Sequence, residues 1–515
     1  MDGTSAPGTT PAPTPAPGPP PGDQLKGGAL GAAGITAMVV AAAAPLTVMA
    51  GIAPLAIAVG GVGAPAGYLA AGIVLTVFAV GFTAMTRLTG GTGAFYSVIA
   101  LGLGRHLGAG AGVLAVVSYN ALQIGVHGLL ATQFQVAFAR FTGIEAPWWL
   151  FAAAGIAAVW ALGRRGVDVG AKVLGVLLVA ETLVLALLVA AILLRGGSDG
   201  LHPGSFSPTA LADPGMLGIL GFCFAAFMGF ESTALYRREA RDPDRSIPRA
   251  TFAAVAFLGS FYCLVVWAIV QAFGEDGAVA AAAADPVGMF FTAMDVYVGA
   301  WASDLMLVLA VTSVLASQVA FHNAVNRYAF TLARDGLLPA ALGHSHPRFG
   351  SPARAGALQT LLAVLVVAGF ALAGADPYTQ LVLLVNTPGA VGVVLLQTLT
   401  SVAVLVHLLR GGRSSRPVLL AATAASVLLL VALVLLVRHV GLLTGAGTAT
   451  NVVLVGLVPL VLLTGAAFAS LLRRRRPAVF ARIGGVERTA EPTAEPTAAA
   501  RSTRPTPIPA LENAS

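Results

Sequence analysis

Twelve apolar runs, separated by short loops that hold most of the basic residues, occupy this chain of 515 residues from Leu30 to Leu472. A helix needs about 20 residues to cross the hydrocarbon core of a bilayer. That ruler places runs at 30–60, 67–84, 108–139, 147–162, 169–194 and 216–236, then at 250–273, 301–332, 355–373, 380–409, 417–437 and 451–472. In lipid every backbone N–H and C=O must be paired within the protein, so single runs of this length form helices. Only 10% of the residues are charged and 57% are hydrophobic, whereas soluble domains carry about 25% charge. A soluble globular fold is excluded. The expected architecture is an all-α integral membrane domain over residues 27–476 between two tails. Residues 1–26, rich in Pro, Thr and Ala, and 477–515, with an EPTAEPTA repeat, read as disordered. No basic end with a short apolar core opens the chain, so no cleavable signal is expected.

The net charge of +7 is distributed by loop. If both termini are cytoplasmic, the inner loops receive Lys26, Arg87, Arg105, Arg164, Arg237, Arg245, Arg334, Arg410 and the run Arg473 to Arg476, among others. The outer loops receive only Arg140, Arg195 and Arg438, and one of them is acidic with Glu275, Asp276 and Asp285. Positive residues stay inside, so the chain is expected in the cytoplasmic membrane with both ends in the cytoplasm. Orientation accounts for the basic excess, so lipid is the expected partner and nucleic acid is not. Cys223 and Cys263 lie within apolar runs as small hydrophobes, and the eight histidines show no ligand spacing. No metal or cofactor is expected, and nothing in the sequence sets an oligomeric state.

Two runs carry signs of interruption. The first holds Pro45 and Pro54 with Gly51 between them; proline lacks an N–H and clashes with the preceding turn, which predicts a break near Pro45 to Val48. The sixth holds Gly229 and Glu231 within FAAFMGFES. A charge at membrane depth costs about 2.5–3.5 kcal/mol on insertion scales, so this glutamate needs a compensating role. Interrupted helices in matching places of two halves point to a binding site at the membrane midplane. Backbone groups freed at Ala44, Pro45, Leu46, Thr47, Phe227, Met228 and Gly229 are candidates to bind a small molecule's carboxylate and ammonium. Phe230, with Phe224 and Phe227, is a candidate aromatic gate, and core packing is the alternative for at least one of them. Close helix packing at Gly229 and a surface position for Glu231 explain the same residues without a site.

A family resemblance rests on two separated motifs. FMGFES followed by EARDPDRSIPRA resembles the sixth helix and following loop of the amino acid–polyamine–organocation permeases, and NRYAFTLARDGLLP, Asn326 to Pro339, resembles the end of their eighth helix. The likeness extends from about residue 25 to residue 476. It implies a twelve-helix secondary transporter of the leucine-transporter-like fold, with five helices repeated inverted as the next five and two appended. It also implies an amino acid or related amine as substrate, bound by the first and sixth helices, with a proton gradient or exchange driving alternating access. The chain departs from the family at AAPLT, Ala43 to Thr47, where many relatives carry a Gly-Ser-Gly-type run. Several proton-coupled relatives carry a lysine nine residues after the position matched by Lys172; here that residue is Glu181. The charge is reversed, so their coupling scheme does not transfer unchanged. Glu231 matches a family position associated with proton-sensitive gating.

Glu181 has about two helical turns or more of apolar residues on either side. A carboxylate taken out of water holds its proton more tightly and can exchange it near physiological pH; a protonated glutamate bonded to another helix is the structural alternative. Tyr119, Gln123 and His127 recur every four residues and share one polar face, suited to substrate or to interhelical hydrogen bonds. Ser313 and Ser317, also four apart, are candidates to hold an ion or to answer Glu181. Asn386 and Thr387 before Pro388 and Gly389 suggest an irregular tenth run. No phosphate-cradling GxxxxGK[ST] motif is present, which argues against ATP hydrolysis. A membrane enzyme would need a nucleophile or metal cluster, and a channel a continuous polar lining; the sequence offers neither. A polyamine or organic-cation importer is the closest alternative, requiring acidic residues on the cavity, for which only Glu181 and Glu231 qualify.

Overall fold

The computed structural model describes residues 31–89, 94–164, 170–237, 240–346, 351–411 and 415–484. The first span is built from three pieces, α1 (Ala32–Ala43), α2 (Pro45–Gly51) and α3 (Ala53–Gly60). It is followed by α4 (Ala64–Thr86), α5 (Ala94–Leu103), α6 (Arg105–Thr142), α7 (Trp148–Gly163) and α8 (Gly170–Arg195). Short α9 (Pro208–Leu211) leads to the sixth span, made of α10 (Gly215–Gly218), α11 (Leu220–Ala225) and a 3₁₀ stretch, Phe230–Tyr236. Then come α12 (Pro243–Phe273), the short α13 (Glu275–Ala284) and α14 (Met289–Tyr297), α15 (Ala300–Arg334) and α16 (Ala353–Leu372). A π-helical segment, Pro377–Val382, runs into α17 (Leu383–Leu409). The described chain ends with α18 (Arg416–Arg438), α19 (Val440–Thr444), α20 (Thr448–Arg475) and α21 (Pro477–Arg482).

Among the described residues, eleven helical stretches are long and apolar enough to cross a membrane. Helix α7 makes the twelfth crossing with 16 residues, which at about 1.5 Å each falls slightly short of the roughly 30 Å hydrocarbon core. Their outer faces confirm the setting: Leu372 is 90% and Leu194 88% exposed, acceptable for large aliphatic side chains only where lipid covers them. Helices approach closely where small residues remove the side chain between them. A Cβ on Gly72 of α4 would stand 3.0 Å from Cα of Gly259 on α12, and one on Gly465 of α20 would stand 2.8 Å from Cα of Gly110 on α6.

Both interruptions have a local cause. The ring of Pro45 disfavours right-handed helix at the residue before it, and Ala44 adopts φ 47°, ψ 78°. The helix restarts with Pro45 in its first position, where the missing N–H is no loss. In the sixth span the winding is lost over residues 226–229, and Gly229 takes φ 106°, open to glycine and strained for other residues.

Two expectations shift. The irregularity of the tenth span lies at Pro377–Val382, and α17 continues through Pro388; a proline can remain inside a helix whose neighbours hold it in place. The domain boundary expected at 476 falls later, because the residues that follow are apolar enough to dock. Helix α21 lays Phe480 against His106, with ring centroids 4.8 Å apart, and Val479 against Gly336, and Ile483 is buried. The amide of Gly484 donates to Tyr96 Oη at 2.6 Å, and Tyr96 Oη donates to Asp335 at 2.7 Å. Residues 1–26 and 485–515, expected as disordered tails, lie outside the described residues.

Candidate functional site

Where the first and sixth spans lose their winding, a cavity of about 100 Å³ opens between them. Its wall takes Ala43, Thr47 and Val48 from the first span, Phe222, Ala226 and Met228 from the sixth, and Ser317 and Phe321 from α15. Helix α6 contributes Leu122, Val126 and Leu129, and the tenth span contributes Leu383, Asn386 and Thr387. Of the residues expected to bind substrate from sequence, only Thr47 and Met228 are on this wall, joined by Ser317 from the α15 pair.

The others flank the cavity and do different work. Ala44 and Pro45 form the break itself, and Leu46 is fully buried with its amide directed at Glu181 Oε2, 3.4 Å away. The Gly229 amide points to the Glu231 carboxylate, at 3.2 and 3.3 Å. Phe227 packs edge-on to Tyr262 of α12 at 5.8 Å, and Phe230 packs edge-on to Phe78 of α4 at 6.0 Å. Neither covers the cavity. Phe230 belongs instead to a closed aromatic cluster with Phe78, Phe82 and Phe95, all buried, on the side of the break away from α11.

Tyr119 and Gln123 also turn away from the cavity, and the reason is general. Tyr119 Oη donates to the Glu231 carboxylate. Gln123 accepts at Oε1 from Gln359 of α16, and its carbonyl accepts from Gln318 of α15 at 3.0 Å. Polar groups in an apolar surround settle where neighbouring helices supply partners. That leaves the adjacent stripe Leu122, Val126 and Leu129, at i, i+4 and i+7, to face the cavity. Sequence reasoning followed the polar stripe of α6, and the apolar one beside it lines the cavity.

Two buried carboxylates join the breaks to the surrounding helices. Glu181 of α8 accepts from Ser313 Oγ of α15 and from the Leu46 amide of α2. Thr47 Oγ1 lies 3.0 Å from Ser313 Oγ, and Ser317 Oγ donates to the Ala42 carbonyl at 2.8 Å. A single polar knot therefore ties α1 and α2 to α8 and α15. Glu231 is held by Tyr119 of α6 and by the Gly229 amide. Arg237, the nearest described arginine of the loop that follows, pairs with Asp244 at 2.6 Å. In the sequence Asn386 marks an irregularity of the tenth run, suited to a gate or a kink. Here it lies on the cavity wall with its amide packed on Gly125, and Oδ1 is buried there without a hydrogen-bond partner.

The sequence model of the amino acid permease family matches residues 30–458, most of the chain and both breaks. The chain belongs to the amino acid permease family. The permease is 32% identical over 173 residues to an uncharacterized transporter of Mycobacterium tuberculosis (strain ATCC 25618 / H37Rv), a match covering 33% of this chain and 38% of the relative. It is 26% identical over 231 residues to a low-affinity putrescine importer of Escherichia coli (strain K12), covering 43% and 49% of the two chains. It is 29% identical over 131 residues to an L-methionine/branched-chain amino acid exporter of the same strain, covering 24% and 30%. The permease thus spans less than half the length of each of these relatives. Among the described residues it is all-helical with about twelve membrane-crossing helices, consistent with the family, and its first and sixth spans are broken.

Proposed function

We propose that this permease carries an amino acid across the cell membrane by alternating access, with both termini in the cytoplasm and the cavity at the two breaks as the substrate site. The observation that carries the reading is the coincidence of that cavity with the loss of helical winding in both spans. Half-helix ends offer amide and carbonyl groups to a carboxylate and an ammonium without a dedicated charged side chain. The aromatic cluster around Phe230 supports a state sealed toward the cytoplasm, since it fills the half of the sixth span that leads there.

Glu181 is the proton carrier in this reading. Ionised, its carboxylate accepts from Ser313 and Leu46; protonated, it loses acceptor strength at both and loosens α2 from α15. Glu231, between Tyr119 and the Gly229 amide, is the corresponding point of control on the sixth span. In proteoliposomes an inward proton gradient is expected to accelerate amino acid uptake, and Glu181→Gln to flatten the pH dependence while leaving exchange of preloaded substrate intact. Identical pH profiles for wild type and variant would remove Glu181 from coupling.

A further inference from the structure

Resting on that assignment of the cavity as the substrate site, we propose that the substrate's side chain is apolar and uncharged, of aliphatic or thioether type, and that polyamines and cationic amino acids are rejected. The cavity wall consists of 20 residues, none charged and four polar: Thr47, Ser317, Asn386 and Thr387. Three of those four are already engaged. Thr47 Oγ1 meets Ser313, Ser317 Oγ donates to Ala42, and Thr387 Oγ1 donates to Leu383. Thr47 and Ser317 sit at the first-span break, which places the shared carboxylate and ammonium of an amino acid at that end. The rest of the wall, Ile52, Val126, Leu129, Phe222, Leu383 and Leu443, offers aliphatic and aromatic surface only.

Asn386 is the one wall residue with an uncommitted polar atom, and that atom, Oδ1, is buried against Gly125 and not open to the cavity. An amide can orient a ligand but cannot neutralise a second ammonium, and an unpaired charge taken out of water is strongly disfavoured. The two membrane carboxylates do not help, because neither is on the wall and both are already bonded, Glu181 to Ser313 and Glu231 to Tyr119. A putrescine-type dication would leave one charge without a partner. Each methylene of an apolar side chain, by contrast, gains about fourfold in affinity as it leaves water.

The test is counterflow of radiolabelled leucine in proteoliposomes preloaded with leucine, with unlabelled competitors at matched concentrations. Competition is expected to rise from glycine through alanine and valine to leucine and methionine by about fourfold per methylene. Serine is expected to compete weakly, and lysine, glutamate and putrescine about a hundredfold or more below leucine. Val126→Asp, which puts a carboxylate on the wall, should bring lysine or putrescine into competition; the milder Val126→Thr should weaken leucine relative to alanine. Lysine, glutamate or putrescine competing as well as leucine, or a flat methylene series, overturns the apolar class and leaves the amino acid carrier standing. No counterflow of leucine, and no thermal stabilisation of the purified protein by any amino acid, overturns both.

Discussion

Gly229 isolates what a helix break costs to maintain. Its φ of 106° is far from the range of L-residues, yet a Cβ built there meets only Ala42 Cβ, at an ordinary 3.7 Å. Gly229→Ala therefore introduces backbone strain with no collision, and strain of this kind is about 1–3 kcal/mol. That is a factor of about 5 to 150 against the broken conformation. Gly125→Ala makes the opposite case. Gly125 is helical, but its added methyl would overlap the Asn386 amide on the cavity wall, so its effect should fall on substrate affinity. We expect Gly229→Ala to lower the maximal rate of uptake at least fivefold with a lowered unfolding temperature, and Gly229→Asn to recover part of the loss, because asparagine tolerates positive φ better. Gly125→Ala should raise the half-saturating substrate concentration and leave the unfolding temperature closer to wild type. Uptake and unfolding midpoints of purified variants decide the matter. Wild-type rate and stability in Gly229→Ala would show that the sixth span works without its break, and the reasoning fails there.

Other consequences follow from single contacts. Tyr119→Phe removes the hydroxyl that holds Glu231 and should destabilise by about 1.5–3 kcal/mol, the range for a hydrogen bond to a charged group. Arg237→Ala breaks a pair with Asp244 whose carboxylate is exposed and whose arginine is half-buried, and should cost about 1 kcal/mol; thermal unfolding of the two variants side by side checks the ranking. Ile483→Ala empties a buried position in the segment after α21 and should cost about 2 kcal/mol while exposing the segment to trypsin at Arg482, read as faster cleavage of the folded protein. Burial raises the Asp335 carboxyl above its ordinary value, against the hydrogen bond from Tyr96, which lowers it. A raised carboxyl stabilises the fold at low pH and loses that contribution as pH climbs through the folded value. Unfolding temperature should therefore fall as pH rises just above the ordinary carboxylate range, and Asp335→Asn should remove that part of the slope.

Hydrophobic length and the two proline or glycine punctuations made the spans and both breaks readable, because each is a local property of the chain. Ala44 and Gly229 are where the prolines and the glycine put them. The cavity wall was not readable in the same way. Periodicity identifies a face of a helix but not which neighbour it meets, and in α6 both the Tyr119 stripe and the Leu122 stripe are inside the bundle. Only packing decides that Gln123 meets Gln359 while Val126 meets the cavity. Phe227 and Phe230 follow the same rule: next to a break an aromatic reads as a gate or as core, and here α4 and α12 take both rings. The α21 segment was missed because its six residues are dominated by the Pro, Thr and Ala composition that follows.

The breaks and the buried carboxylates explain each other. In a continuous helix the Leu46 amide would bond to the Ala42 carbonyl and the Gly229 amide to the Ala225 carbonyl, four residues back. Neither does. The Ala42 carbonyl accepts from Ser317 and the Ala225 carbonyl from the Met228 amide, which leaves both N–H groups to Glu181 and Glu231 respectively. A carboxylate in the membrane interior is tolerable only with donors around it, and an amide released from a helix in the same interior needs an acceptor. Each supplies what the other lacks, and a hydroxyl from a more regular helix, Ser313 or Tyr119, completes each pair. Replacing either glutamate with leucine should therefore cost more than the carboxylate's own bonds, since it orphans a backbone amide beside the cavity. Glutamine, which keeps an acceptor oxygen, should restore stability without restoring pH sensitivity. If leucine proves as stable as glutamine at both positions, the two amides have found other partners and the mutual dependence does not hold.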